Sequence, residues 1–128
     1  MNPPEAKKHK LLIVEDDFYV RDTYVLHGKL MEFDVITAVD GEEALEKIRS
    51  IELDIVLLDM MLPKIDGMSV LRTVKADPQY AALKIIVITN LDDSKVKEEA
   101  KQLGALDFLL KMEYPPHEML EMTKKYLQ

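Results

Sequence analysis

Six polar side chains stand directly after short apolar runs: Glu15, Asp16 and Asp17 after LLIV, Asp59 after IVLL, Thr89 after IIVI, and Lys111 after DFLL. Carboxylates converging on one edge form a hard oxygen site of the kind Mg²⁺ accepts, with several waters retained. Two carboxylates ~5 Å apart at an effective dielectric of ~20 oppose each other by roughly 3 kcal/mol, about 2 pK units, so a cation there is linked to folding and ionisation. A Lys ammonium and a Thr hydroxyl facing that cation complete a cradle for a phosphoryl group, whose transfer depends on positioning and charge neutralisation. Asp is one of the side chains that forms an acyl phosphate. Taken singly, each residue has an ordinary explanation: acids after a strand cap the next helix, Thr suits a strand, and Lys at a strand end is solvated. The set as a whole points to phosphoryl chemistry.

These residues meet only if the apolar runs are neighbouring parallel strands. The pattern alternates between β-branched runs and helical spacing, predicting strands over residues 11–14, 33–39, 53–58, 85–88 and 107–110. The third, apart from Asp54, and the fourth are continuously apolar, as strands covered on both faces should be, while the second partly alternates and suits an edge. Five helices lie between and after them. Asp17 caps the first, which runs to about Met31, and Asp40 with Glu43 reads as a capping box opening the second. Met68, Leu71 and Val74 stripe the third, which stops before Asp77-Pro78. The fourth starts near Asp92 or Asp93 and ends at Gly104; the fifth has Pro116 in its first turn and a stripe of Met119, Leu120, Thr123 and Leu127. Five βα units predict an α/β fold, a single doubly wound five-stranded parallel sheet with helices on both faces, since five are too few to close an eight-stranded barrel. Ligands in such sheets bind outside the carboxyl ends of the strands, where the strand order reverses.

The 128 residues suit one domain, and the absence of Cys excludes disulfides, thiol nucleophiles and cysteine-ligated zinc, in keeping with a cytoplasmic location. No apolar run approaches the ~20 residues of a membrane span, so no membrane insertion is expected. Seventeen Lys plus Arg against 24 Asp plus Glu give a net charge of −7, which argues against a direct grip on nucleic acid. Residues 1–9, with two prolines and mixed charge, read as a mobile tail, leaving 10–128 as the domain. The chain ends with the last helix, so no appended effector domain is expected.

The motifs LLIVEDD, DGEEAL, DIVLLDMMLPKIDG, IIVITN and GALDFLLK, in this order and spacing, resemble the receiver domains of bacterial response regulators over residues 10–127. The resemblance implies a flavodoxin-like strand order 2-1-3-4-5. It implies a phosphorylation-dependent switch of a two-component phosphorelay, promoting its own phosphorylation and dephosphorylation rather than acting as an enzyme on other substrates. Asp59 resembles the phosphoacceptor. Glu15 and Asp16 resemble the acidic pair that holds Mg²⁺, with Asp59 and the backbone carbonyl of Met61 as further ligands; aligning Arg21 sets that register and leaves Asp17 as a cap. Thr89 and Lys111 resemble the phosphoryl-binding hydroxyl and amine, Thr89 with Phe108 the switch pair, and Pro63 and Gly67 the residues that shape the loop after the acceptor. Met61 and Leu91 occupy the positions bordering the approach of hydrolytic water and are expected to tune phosphate lifetime. Implied partners are a histidine kinase or phosphotransfer protein as donor and a downstream protein on the face of helix four, strand five and helix five.

Two departures stand out. Members usually have Pro directly after the lysine, whereas Met112 follows Lys111 here, and Gly28 falls inside the first helix while Glu32 sits where a terminating glycine is common. His27 shares a face with Val20, Tyr24 and Met31 and reads as a packed or boundary residue. Three other classes fit the residues less well. A dehalogenase-type phosphohydrolase needs a second Asp where Met61 stands, a flavin binder would be repelled by Glu15-Asp16-Asp17, and a degenerate docking receiver would not keep the full acid, Thr and Lys set.

Overall fold

A computed structural model describes residues 7–128; residues 1–6, most of the expected tail, lie outside the described residues. Strands and helices alternate in the order β1 (Lys10–Val14), α1 (Phe18–Leu30), β2 (Asp34–Ala38), α2 (Gly41–Ser50), β3 (Ile55–Asp59), α3 (Gly67–Ala76), β4 (Lys84–Thr89), α4 (Ser94–Gln102), β5 (Asp107–Leu110) and α5 (Pro116–Lys125). A short 3₁₀ turn at Pro78–Tyr80, not read from the sequence, precedes β4. All strand pairs are parallel, in the order β2-β1-β3-β4-β5. The order reverses between β1 and β3, the place where a doubly wound sheet opens a crevice.

Side chains two apart on a strand share a face. Leu12, Val14, Val56, Leu58, Ile85 and Val87 bury against α2, α3 and α4. Leu11, Ile13, Ile55, Leu57, Ile86 and Ile88 bury against α1 and α5. Both faces of the central strands are therefore covered, which is why residues 55–58 of β3 and 85–88 of β4 are continuously apolar.

Four helices open on an aspartate. Asp17 accepts the Tyr19 and Val20 N–H groups, Asp40 that of Glu43, Asp66 that of Ser69, and Asp93 those of Lys95 and Val96. Each cap stabilises its helix by ~1 kcal/mol. At the other ends, Gly104 terminates α4 at φ 110°. Glu32, where a glycine was the more usual residue, adopts φ 65° after α1. Gly28 is explained by packing: a Cβ there would lie 3.0 Å from Val35 Cγ2 and 3.6 Å from Leu11 Cδ2, so its small size lets α1 lie close on β1 and β2.

Candidate functional site

The ladder of each strand carries on through the polar residues at its carboxyl end. The Glu15 N–H donates to the Ala38 carbonyl (3.1 Å), the Met60 N–H to that of Ile88 (3.3 Å), and the Lys111 N–H to that of Thr89 (2.8 Å). Asp59 is itself the last residue of β3 and Thr89 the last of β4. Counting by twos from Leu11, Ile55 and Leu109 places Glu15, Asp59 and Lys111 on the α1 and α5 side of the sheet.

There the three side chains join. Lys111 Nζ donates to Glu15 Oε1 at 2.5 Å and to Asp59 Oδ2 at 2.7 Å. Asp59 Oδ1 accepts the Met61 N–H at 3.1 Å. Glu15 and Asp59 are buried, only 1% and 3% exposed. Asp16 is exposed, yet its carboxylate lies within 4.8 Å of those of Glu15 and Asp59. Burial, reinforced by the nearby Asp59 carboxylate, pushes Glu15 up to about 8 against the opposing pull of Lys111. Burial draws Lys111 down, but its bonds to Asp59 and Glu15 outweigh it and hold the ammonium above its ordinary value. The site therefore carries more negative charge than one ammonium neutralises, and Glu15 Oε2 is buried with no hydrogen-bond partner. Hard oxygens, excess negative charge and an orphaned carboxylate oxygen suit a divalent cation, and Glu15, Asp16 and Asp59 could hold one.

Neighbouring residues fix the acids in place. Arg21 Nη1 donates to the backbone carbonyls of Glu15 (2.9 Å) and Asp16 (3.3 Å). From the sequence Arg21 served only to set a register; an arginine in the first turn after an acidic run is the signal that marks this second role. The loop after Asp59 is clamped by two glycines. The Gly67 N–H donates to the Met60 carbonyl (2.9 Å) and the Gly41 N–H to the Pro63 carbonyl (3.3 Å). A Cβ at Gly67 would sit 2.2 Å from the Asp59 carbonyl oxygen, and one at Gly41 only 1.9 Å from that of Ile65. Lys64, at φ 66°, brings its ammonium within 3.5 Å of Asp40. The Glu43 N–H and Lys64 hold the Asp40 carboxyl below its ordinary range.

Of the remaining predicted residues, Met61 joins the cluster only through its backbone N–H, and the side chains of Thr89, Phe108 and Leu91 surround it without joining its hydrogen bonds. Thr89 is fully buried and its Oγ1 accepts the Leu91 N–H at 3.0 Å. Its place in the alternation of β4 sets it on the α3 and α4 side. Phe108 is buried on that same side, opposite Val87 in the register of β4 and β5. Met61 and Leu91 are exposed, at 63% and 41%. After Lys111 the chain turns, with the Glu113 N–H donating to the Leu110 carbonyl (3.1 Å), and Met112 projects outward. No peptide bond among the described residues is cis.

A doubly wound sheet whose carboxyl edge joins buried carboxylates to one ammonium belongs to the class of α/β proteins that handle phosphoryl groups or cations. Residues 11–124 match the response regulator receiver domain family, and the chain belongs to it. It is 34% identical over 119 residues to the alkaline phosphatase synthesis transcriptional regulatory protein PhoP of Bacillus subtilis, covering 93% of this chain and 48% of the relative. The chemotaxis response regulator CheY4 of Vibrio cholerae superposes with a TM-score of 0.85 at 27% identity, covering 93% of this chain and 98% of that one. A response regulator receiver protein from Pseudomonas putida does so at 0.85 and 28%, covering 94% and 99%. The chain spans about half or less of the length of the curated relatives it matches. It is thus a receiver domain of the two-component type, a module of phosphorylation-dependent signalling rather than an enzyme in the ordinary sense. The phosphohydrolase and flavin-binding readings fall with that assignment. No helix among the described residues is long and apolar enough to cross a membrane.

Proposed function

We propose that Asp59 accepts a phosphoryl group, with Mg²⁺, from a histidine kinase or phosphotransfer protein. The observation that carries this reading is the binding of both Asp59 oxygens inside the sheet edge, one by Lys111 Nζ and the other by the Met61 N–H. In the transfer an Asp59 oxygen attacks phosphorus, the phosphorus–nitrogen bond of the donor histidine breaks, and its electron pair returns to the imidazole. Mg²⁺, held by Glu15, Asp16, Asp59 and the Met61 carbonyl, would supply charge neutralisation for the dianionic group. Lys111 turns from Asp59 Oδ2 to a phosphoryl oxygen, and the Thr89 hydroxyl leaves the Leu91 N–H for another. The Phe108 ring, on the same side as Thr89, shifts in response, which is a population shift between two packings.

The phosphorylated state is read by a downstream protein on the face of α4, β5 and α5. The same cluster promotes both phosphorylation and self-dephosphorylation. Met61 and Leu91, being apolar, cannot orient an attacking water, so the aspartyl phosphate is long-lived. The receiver unit is residues 10–128, with 1–9 as its tail, acting in the cytoplasm without membrane insertion; the net charge of −7 opposes direct nucleic-acid contact. Incubation with acetyl phosphate and Mg²⁺, followed by intact-mass spectrometry, is expected to give one phosphoryl adduct, absent when a chelator removes the cation. Equal labelling in chelator would overturn the cation requirement.

A further inference from the structure

Away from the acid cluster, α1 and α5 bring together two histidines that the sequence places 90 positions apart. The His27 and His117 ring centroids lie 6.3 Å from each other at an interplanar angle of 50°. We propose that these two imidazoles form a site for a borderline divalent metal of the zinc type, clasping α1 to α5.

The seam beneath the pair is well fixed. A Cβ at Gly28 would lie 3.7 Å from Leu120 Cδ1, and Lys124 Nζ donates to the Met31 carbonyl at 2.7 Å. Residues 27, 28 and 31 of one helix and its cap therefore run level with residues 117, 120 and 124 of the other, so packed contacts set the separation of the rings. With Zn–N bonds of ~2.0–2.1 Å, two imidazoles on one tetrahedral ion have ring centres roughly 5 Å apart. The observed spacing closes to that value by a modest turn of His117, which is exposed, toward His27, which is half-buried. Imidazole nitrogen suits zinc, nickel and copper and not Mg²⁺, which prefers the carboxylates at the strand ends, so excess Mg²⁺ occupies the acid cluster without competing at the imidazoles. Water fills the remaining coordination positions, since the two imidazoles are the protein ligands of this site. An ion held here restrains α5, an element of the proposed output face.

The test is titration of chelator-stripped full-chain protein with zinc chloride in excess Mg²⁺, read by calorimetry and thermal melts. The parent and Asp16→Ala are expected to show one saturable zinc site and a rise in melting temperature. His117→Asn and His27→Asn should show neither, and His117→Asn, altered at an exposed position, should match the parent's melting temperature without zinc. In ¹H–¹⁵N spectra both imidazoles should shift together on zinc addition. Undiminished zinc binding in His117→Asn, loss of the site in Asp16→Ala alone, or no saturable site in the parent would each overturn the proposal, the last leaving the pair as a plain ring contact.

Discussion

Replacing Glu15 with Gln isolates the charge that burial makes most costly. The Glu15 carboxyl rises from 4.5 to about 8. At ~1.4 kcal/mol per pK unit that range spans on the order of 5 kcal/mol, which relaxation and water penetration bring down to ~3 kcal/mol. Because the folded pKa lies above the unfolded one, the folded state binds the extra proton. This contribution to stability is complete below about 4.5, falls as pH rises, and is gone once pH passes about 8. In chelator, the parent should lose roughly 10 °C of melting temperature between pH 5 and pH 9 relative to Glu15→Gln, taking ~3–4 °C per kcal/mol for a domain of this size. Adding Mg²⁺ at pH 9 should recover much of the parent's loss and little in the variant, since the cation supplies the missing positive charge. The assay is a set of calorimetric melts of both proteins across that range. Parallel pH profiles for the two would refute the reasoning, because the slope would then belong to groups other than Glu15.

Further outcomes follow from the same site. Thermal melts should rise with Mg²⁺ in the parent and much less in Asp16→Ala; equal shifts would put the cation elsewhere. Gly67→Ala forces a Cβ to within 2.2 Å of the Asp59 carbonyl oxygen. Denaturant titration should find it destabilised by about 3 kcal/mol, and a loss below about 1 kcal/mol would mean the loop moves aside freely. The phosphorylated Met61→Asn, Leu91→Glu double variant should decay faster than the parent under the same Mg²⁺, and an unchanged rate would remove the two side chains from any shielding role.

The sheet was readable because β3 and β4 are apolar on both faces, and Asp17, Asp40 and Gly104 mark helix ends by local chemistry. Element limits set by distant partners were harder to read. The sequence begins the third strand at residue 53, but Asp54 turns its carboxylate to the Lys10 N–H and pairing starts at Ile55. Leu127 continues the apolar stripe of α5, yet the helix ends at Lys125. The chain just beyond it is tied by Lys84 Nζ to the Tyr126 carbonyl (2.6 Å) and by the Tyr126 hydroxyl to Asp107. Asp66 caps α3 through the Ser69 N–H, a role that the apolar stripe of the helix does not mark. In the site, the pairing of Lys111 with Glu15 and Asp59 follows from strand order and alternation. The roles of Arg21 and Gly41 do not, since both act on backbone carbonyls that no side-chain pattern marks. Nothing in the sequence marks His117, because its partner His27 lies on another helix.

Asp59 is the expected seat of the phosphoryl group. Protein phosphorylated with acetyl phosphate and Mg²⁺, then reduced with borohydride, carries homoserine at the position that held the acyl phosphate, and peptide fragmentation by mass spectrometry locates it. Homoserine at position 59, with no adduct in Asp59→Asn, is the predicted result. Homoserine at position 16 or elsewhere, or full labelling of Asp59→Asn, would contradict the account.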